Sequence, residues 1–184
     1  MKKLFFAAVI VAFSIAGTKA QTFGAKAGLN LANVTGDVSD NSMLTAFHVG
    51  VVADFEISDE FSFQPELVYS MQGTKISVLG TDFNVNFNYL NLPLLAKYEV
   101  AEGISVLAGP QIGFLMTAEN DGTDIKDNYK GVDFGFDLGA AYELESGMFF
   151  DLRYNIGLSN MVDDNSNESL KNAVISFSLG YKFN

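Results

Sequence analysis

The residues able to move a proton or hold a charge are few in this chain of 184 residues. It has one imidazole, His48, no cysteine, and 11 basic against 22 acidic side chains. An imidazole beside a Ser or an Asp can act as general base in the hydrolysis of lipid esters or surface peptides. The residues two positions either side of His48 are Ala46 and Gly50, which can be neither nucleophile nor orienting acid, so any partner must come from another element. A second set comprises Lys26, Glu66, Lys97, Asp137, Glu143, Asp151, Arg153 and Lys182. Each falls at an alternate position among glycines and serines, as expected of groups facing a narrow interior. Charges confined there must pair or carry water, and the planar fork of Arg153 suits bidentate pairing with Glu66, Asp137 or Asp151. Asp133 and Asp137 have a superficially glycosidase-like spacing. Four positions apart on one strand they would be about 13 Å apart, too far for that chemistry.

These side chains are positioned by strands. From Val132 to Leu144 the chain alternates strictly, with Val132, Phe134, Phe136, Leu138, Ala140, Tyr142 and Leu144 on one face and acids, alanine and glycines on the other. A period of two is that of a β-strand, and small residues mixed with charged ones describe a cramped, wet interior. The same pattern recurs in eight segments, 22–33, 45–57, 61–72, 83–100, 104–118, 132–144, 148–158 and 173–183. Ser58-Asp59-Glu60, Ala101-Glu102-Gly103 and Glu145-Ser146-Gly147 make short turns, whereas 34–44, 73–82, 119–131 and 159–172 are long and rich in Asp, Asn and Gly. This predicts an all-β fold, an eight-stranded antiparallel up-and-down transmembrane β-barrel with short periplasmic turns and long extracellular loops. The outward rows carry no charge. Phe55, Phe61, Tyr98, Tyr142, Phe149, Tyr181 and Phe183, near the short turns, read as a periplasmic aromatic girdle.

The N-terminus has Lys2 and Lys3, an apolar run from Leu4 to Gly17 and then Thr18-Lys19-Ala20. That is the pattern of a secretory signal peptide over residues 1–20, cut between Ala20 and Gln21, leaving 21–184 as one barrel domain. No later apolar run is long enough for a spanning helix. Removing Lys2, Lys3 and Lys19 leaves 8 basic and 22 acidic residues, a net charge of −14, which argues against a nucleic-acid partner. The absence of cysteine excludes a disulfide framework, a thiolate metal site and a lipid-anchored lipoprotein. Asp163 to Glu168 superficially matches a calcium loop but lacks its sixth-position Gly and its twelfth-position Glu. No metal and no cofactor are expected.

One segment breaks the pattern. Phe83, Val85, Phe87 and Tyr89 are odd-numbered, whereas Leu90, Leu92, Leu94, Ala96 and Tyr98 are even-numbered. Such a phase change calls for a β-bulge near Tyr89, or for a hairpin of 74–79 and 83–89 that leaves the membrane, beyond which facing changes its meaning. The exposed edge of that hairpin, with Lys75, Ile76, Val78, Phe83, Val85 and Phe87, would be a template for strand addition by a partner.

The segment Tyr89-Leu90-Asn91-Leu92-Pro93-Leu94-Leu95-Ala96-Lys97-Tyr98 resembles the PorT-type outer-membrane β-barrel family of Bacteroidota. Ala108-Gly109-Pro110-Gln111, Phe134 to Gly139 and Arg153 to Asn160 are similar to the same family, and the likeness spans residues 21–184. It implies an eight-stranded outer-membrane barrel. It also brings the namesake's link to protein export to the cell surface, in a family most of whose members lack an assigned activity. Chains of this family tend to end on an aromatic residue, whereas here Asn184 follows Phe183.

The resulting expectation is a non-enzymatic, porin-like but non-conducting outer-membrane protein with a side-chain-filled lumen and no catalytic residues, acting as a structural or surface-interaction module. The alternatives are an accessory role in surface export and a barrel enzyme acting on lipid A or surface peptides. Expected partners are outer-membrane lipids, the barrel assembly machinery in passing and an envelope protein, with the barrel itself monomeric and both termini periplasmic.

Overall fold

The computed structural model describes residues 21–37, 41–78, 81–162 and 169–183. Residues 1–20, expected from the sequence to be a signal peptide ending at Ala20, and loop acids Asp40, Asp163, Asp164 and Glu168 lie outside that range. The barrel strands are β1 (Gln21–Gly36), β2 (Asn41–Glu56), β3 (Phe61–Val78), β4 (Thr81–Ala101), β5 (Ile104–Asn120), β7 (Val132–Glu143), β8 (Met148–Gly157) and β9 (Leu170–Phe183). A two-residue strand, β6 (Thr123–Asp124), and a one-turn 3₁₀ helix at Lys126–Asn128 lie in the loop after β5. Every barrel strand pairs antiparallel with its neighbours in sequence, and β1 closes the sheet on β9, from Phe23 opposite Phe183 to Gly36 opposite Leu170. Closure leaves no free sheet edge through the bilayer, where unpaired backbone groups would cost several kcal/mol each.

Alternation assigns the faces as expected. On β8, Phe149, Asp151, Arg153, Asn155 and Gly157 are buried inside while Met148, Phe150, Leu152, Tyr154 and Ile156 are exposed. The outward apolar row of β9 runs from Ala173 to Phe183. Ten steps of about 3.3 Å, tilted by about 40°, give a band roughly 25 Å tall, the height of a membrane's apolar layer. Gly103 and Gly147 have φ of +72° and +84°, the left-handed conformation that their short turns require.

Three expectations need correction. First, β4 contains no bulge near Tyr89; the register shift on its own side lies against β5 between Glu99 and Ala101, where Val100 is unopposed. Its ladder with β3 holds one register from Phe61 opposite Tyr98 to Val78 opposite Thr81, and odd positions face inward from Val85 to Lys97. The irregularity at Tyr89 belongs to β5, where Asn88 pairs with Thr117 and Tyr89 with Leu115, leaving Met116 unopposed. The hairpin does extend beyond the apolar band. There Asn84, Asn86 and Asn88 take the outward positions, while Val85, Phe87 and Tyr89 are buried inside. The apolar face therefore switches sides because the environment changes, with no change in backbone phase.

Second, that hairpin has little free edge. β2 covers β3 as far as Asn41 opposite Ile76, and β5 covers β4 as far as Asn120 opposite Val85. Lys75 and Ile76 are thus already in a ladder, Val85 and Phe87 are turned inward, and Ser77, Val78 and Phe83 nearer the tip have no second strand partner among the described residues. Third, Phe149 is no girdle residue. It is 4% exposed, and its ring fills the space a Cβ on Gly180 would occupy.

Candidate functional site

Inward-facing residues build the lumen in tiers. At the short-turn end, Asp54 and Glu143 share Lys97 and Lys182. Lys182 Nζ donates to Asp54 Oδ2 at 2.6 Å and Glu143 Oε2 at 2.7 Å, and Lys97 Nζ to the same atoms at 3.1 and 3.0 Å. On β2 and β4 the next inward positions are Val52 and Leu95, both buried, as are Leu107 and Phe149 on β5 and β8. Further along, Arg153 donates from Nη1 and Nη2 to Glu66 at 2.8 and 2.7 Å, Lys26 Nζ lies 2.7 Å from the same carboxylate, and Asp151 pairs with Arg153. The side chain of Glu66 has no exposure. Asp137 stands beside this cluster without an ion pair and accepts from Asn155 Nδ2 at 2.7 Å.

All eight charges named from the sequence therefore face inward, but in two separate groups, with Asp137 apart from both. The sequence reading missed Asp54, whose even-numbered position on β2 is the parity of His48. That signal was available. The grouping was not, because it depends on which strands meet and in what register.

The imidazole lies in the next tier. His48 Nδ1 is 2.8 Å from Asn30 Oδ1 and Nε2 is 2.9 Å from Ser178 Oγ. Asn30 Nδ2 donates to Met71 O at 2.7 Å and to Ser70 Oγ at 2.9 Å, so Oδ1 is the atom facing the ring. Nδ1 then carries the proton and Nε2 accepts from the Ser178 hydroxyl. This is the proton arrangement of a serine nucleophile with base and orienting group, but the lumen beside the imidazole leaves no room for a substrate. His48 and Ser178 are 4% and 6% exposed, Ser178 is mid-strand between Gly28 and Asp151 in two ladders, and the adjoining cavity is about 40 Å³. That volume holds about two or three waters. The arrangement serves as a buried hydrogen-bond network.

The long-loop end is roofed. Val34, Val85, Phe87, Leu115, Met161 and Val162 pack into an apolar cluster with Tyr89 and Ala118. Two loop segments form the roof, joined by the Tyr129–Val162 bridge and by Lys130 N donating to Met161 O at 2.8 Å. Phe87 and Tyr129 meet edge to face with ring centroids 4.8 Å apart. Beneath, Asn172 Nδ2 donates to Asp133 Oδ2 at 2.8 Å.

The opposite end is open. A cavity of about 910 Å³ is rimmed by the short turns and floored by Asp54, Glu143, Lys97 and Lys182. Among the described residues, no group of three or more His, Cys, Asp or Glu side chains is arranged to hold a metal ion.

A protein family described as "Outer membrane protein beta-barrel domain" matches residues 19–163. No match was found among curated proteins. The fold is similar to that of Neisserial surface protein A, with 14% identity and a TM-score of 0.60 over 90% of this chain and 100% of that one. The attachment invasion locus protein Ail of Yersinia pestis gives 12% identity and a TM-score of 0.54 at the same coverages. A major outer membrane protein of Thermus thermophilus gives 15% and 0.53, again covering 90% and 100%. At these identities the likeness concerns fold alone.

Proposed function

The chain belongs to the outer membrane protein β-barrel domain family, and from that premise we propose that it is a non-enzymatic, non-conducting barrel whose work is done on its surfaces. One observation carries this reading. The lumen is filled from the Asp54–Glu143 floor to the Phe87–Met161 roof, with a 40 Å³ void as the cavity beside the imidazole. Eight strands enclose only enough room for side chains, and here salt bridges and hydrogen bonds lock those side chains together. The enzyme reading needs a reacting atom that a substrate can reach, and Ser178 is not one.

The long-loop end faces outward in this proposal and both termini face the periplasm. An even strand number puts the termini on the short-turn side, as in outer-membrane barrels generally. Within the family, the Leu92-Pro93-Leu94-Leu95 segment supports a PorT-type assignment, and with it a secondary reading as an accessory of surface export. Under that reading the barrel anchors an envelope partner.

Insertion of an epitope at Gly122 in the long loop after β5, and separately at Ser146 in a short turn, tests the orientation in intact cells. Both sites are exposed. Antibody should reach the Gly122 epitope without permeabilisation and the Ser146 epitope only after it. The reverse pattern would overturn the orientation. Changes in lipid A or surface peptides that follow Ser178 in a Ser178→Ala strain would overturn the non-enzymatic reading.

A further inference from the structure

The upper charge cluster does not balance. Lys26 and Arg153 stand against Glu66, Asp151 and Asp137, all five of them 5% exposed or less. The imidazole nearby is neutral, with its proton on Nδ1 toward Asn30. Two cations against three ionised carboxylates leave one negative charge inside the barrel. Glu66 and Asp151 are taken up by the two bases. The surplus falls on Asp137, which accepts from Asn155 on Oδ1 and, among the described residues, from nothing on Oδ2. A buried charge without a partner is costly unless something positive joins it.

A second observation is independent of the charge count. Asn91, on β4, is 4% exposed and lines the same 40 Å³ void as Asp137, yet its side chain makes no hydrogen bond among the described residues. Gln111, on β5, also lines the void and its side chain is likewise unpartnered among them. Buried amides are ordinarily hydrogen-bonded. The ladders bring these groups together. Asn91 is opposite Gly113, two positions from Gln111, and Gln111 is opposite Gly135, two positions from Asp137. Diagonal neighbours of this kind are about 7–8 Å apart, within reach of side chains that turn to a common point. Glycine keeps the space open, since a Cβ on Gly113 would lie 2.8 Å from Asn91 Oδ1.

We infer that the void is a binding site for one monovalent cation of sodium or potassium size, held by Asp137 Oδ2 and the side-chain oxygens of Asn91 and Gln111, with water completing its shell. Carboxylate, amide oxygen and water are the ligands that hard cations take. One positive charge cancels the surplus. A void with room for about two or three waters admits such an ion with part of its hydration. Lys26 and Arg153 border the void too, but both are committed to Glu66 and Asp151. A proton on Asp137 would also cancel the charge, yet it makes one hydrogen bond to one acceptor and leaves the other amide and the void unused. A divalent ion would reverse the surplus and meet a single free carboxylate. The ion is a resident of the filled lumen, so the site is independent of which end of the barrel faces outward.

Urea unfolding in neutral phosphatidylcholine vesicles tests the site, with sodium chloride replaced stepwise by N-methyl-D-glucamine chloride and a parallel series in potassium chloride. The organic cation is too large for the void and keeps screening fixed. An ion bound by the folded state alone lowers the unfolding equilibrium constant by the factor 1 + [Na⁺]/Kd, so above half-saturation the constant should fall about tenfold per tenfold rise in sodium or potassium. Asp137→Asn removes the surplus charge, and Asn91→Leu removes an oxygen ligand at similar size. Each should make the constant independent of sodium and potassium to within about twofold. Glu60→Gln, at an exposed short turn, should keep the wild-type dependence. A wild-type chain indifferent to both ions would overturn the site, as would a dependence that survives in either Asp137→Asn or Asn91→Leu. Stabilisation by acid that is lost in Asp137→Asn, with no response to either ion, would place a proton on Asp137 and overturn the cation assignment.

Discussion

Removing Glu66 should unbalance the upper charge cluster more than any other single change. Its carboxylate accepts two bonds from Arg153 and one from Gln64, and lies 2.7 Å from Lys26 Nζ, with no side-chain exposure. Glu66→Gln keeps the volume but leaves Arg153 and Lys26 with Asp151 as their remaining close anion. Breaking one partner of a buried ion pair costs about 3–5 kcal/mol, most of it for the charge left behind. The loss should appear as a lower urea midpoint at unchanged slope in vesicles, since the same surface unfolds. A second variant separates charge from packing. Glu66→Gln with Arg153→Met removes the orphaned guanidinium and should recover at least half of the loss, because replacing buried ion pairs by apolar groups is often near neutral. A loss below about 1 kcal/mol for Glu66→Gln, the value of a surface pair, would refute the buried, water-poor lumen. So would a double variant worse than the single one.

Three further outcomes follow from the packing. Gly180→Ala should cost about 1–3 kcal/mol, partly recovered by Phe149→Leu, since the nearest atoms to a Cβ at that position belong to the Phe149 ring; identical stabilities with and without the second change would contradict this. Phe87→Ala should cost about 3–5 kcal/mol by opening a cavity in the roof, measured by urea unfolding; a cost near zero would mean that the roof does not pack as described. His48→Ala should destabilise by about 1–3 kcal/mol, leaving Asn30 and Ser178 without their partner. In the same experiment the wild-type chain should give no labelling of Ser178 by a fluorophosphonate, and stoichiometric labelling would revive the nucleophile.

Much of this architecture is legible because a barrel through lipid imposes the simplest possible pattern, one face apolar at every second residue. Val132 to Leu144 and Met148 to Leu158 can be assigned side by side from the chain alone. β4 misleads for a physical reason. Alternation reports which side of a strand meets an apolar environment, and above the lipid boundary that environment moves from the outside to the roof of the barrel. Val85 and Phe87 keep the inward face while the surroundings change. The roof itself is hidden because Tyr129 and the Met161-Val162 pair sit in polar loops, with no period to mark them. The inward direction of Lys26, Arg153 and Lys182 is equally plain. Their sorting into two groups depends on ladder register, and the pairing of His48 with Asn30 and Ser178 brings together residues 18 and 130 positions away. No local spacing encodes that.

Single-channel recording of the purified barrel in planar lipid bilayers tests the sealed lumen most directly. The salt-bridged floor, the buried Val52, Leu95, Leu107 and Phe149 side chains and the Phe87–Met161 roof together predict a silent baseline in concentrated potassium chloride. That silence should persist in Phe87→Ala, because the charge tiers below the roof remain filled. Stable, uniform conductance steps from the wild-type chain would contradict the account, and would mean that the lumen side chains part to form a water-filled path.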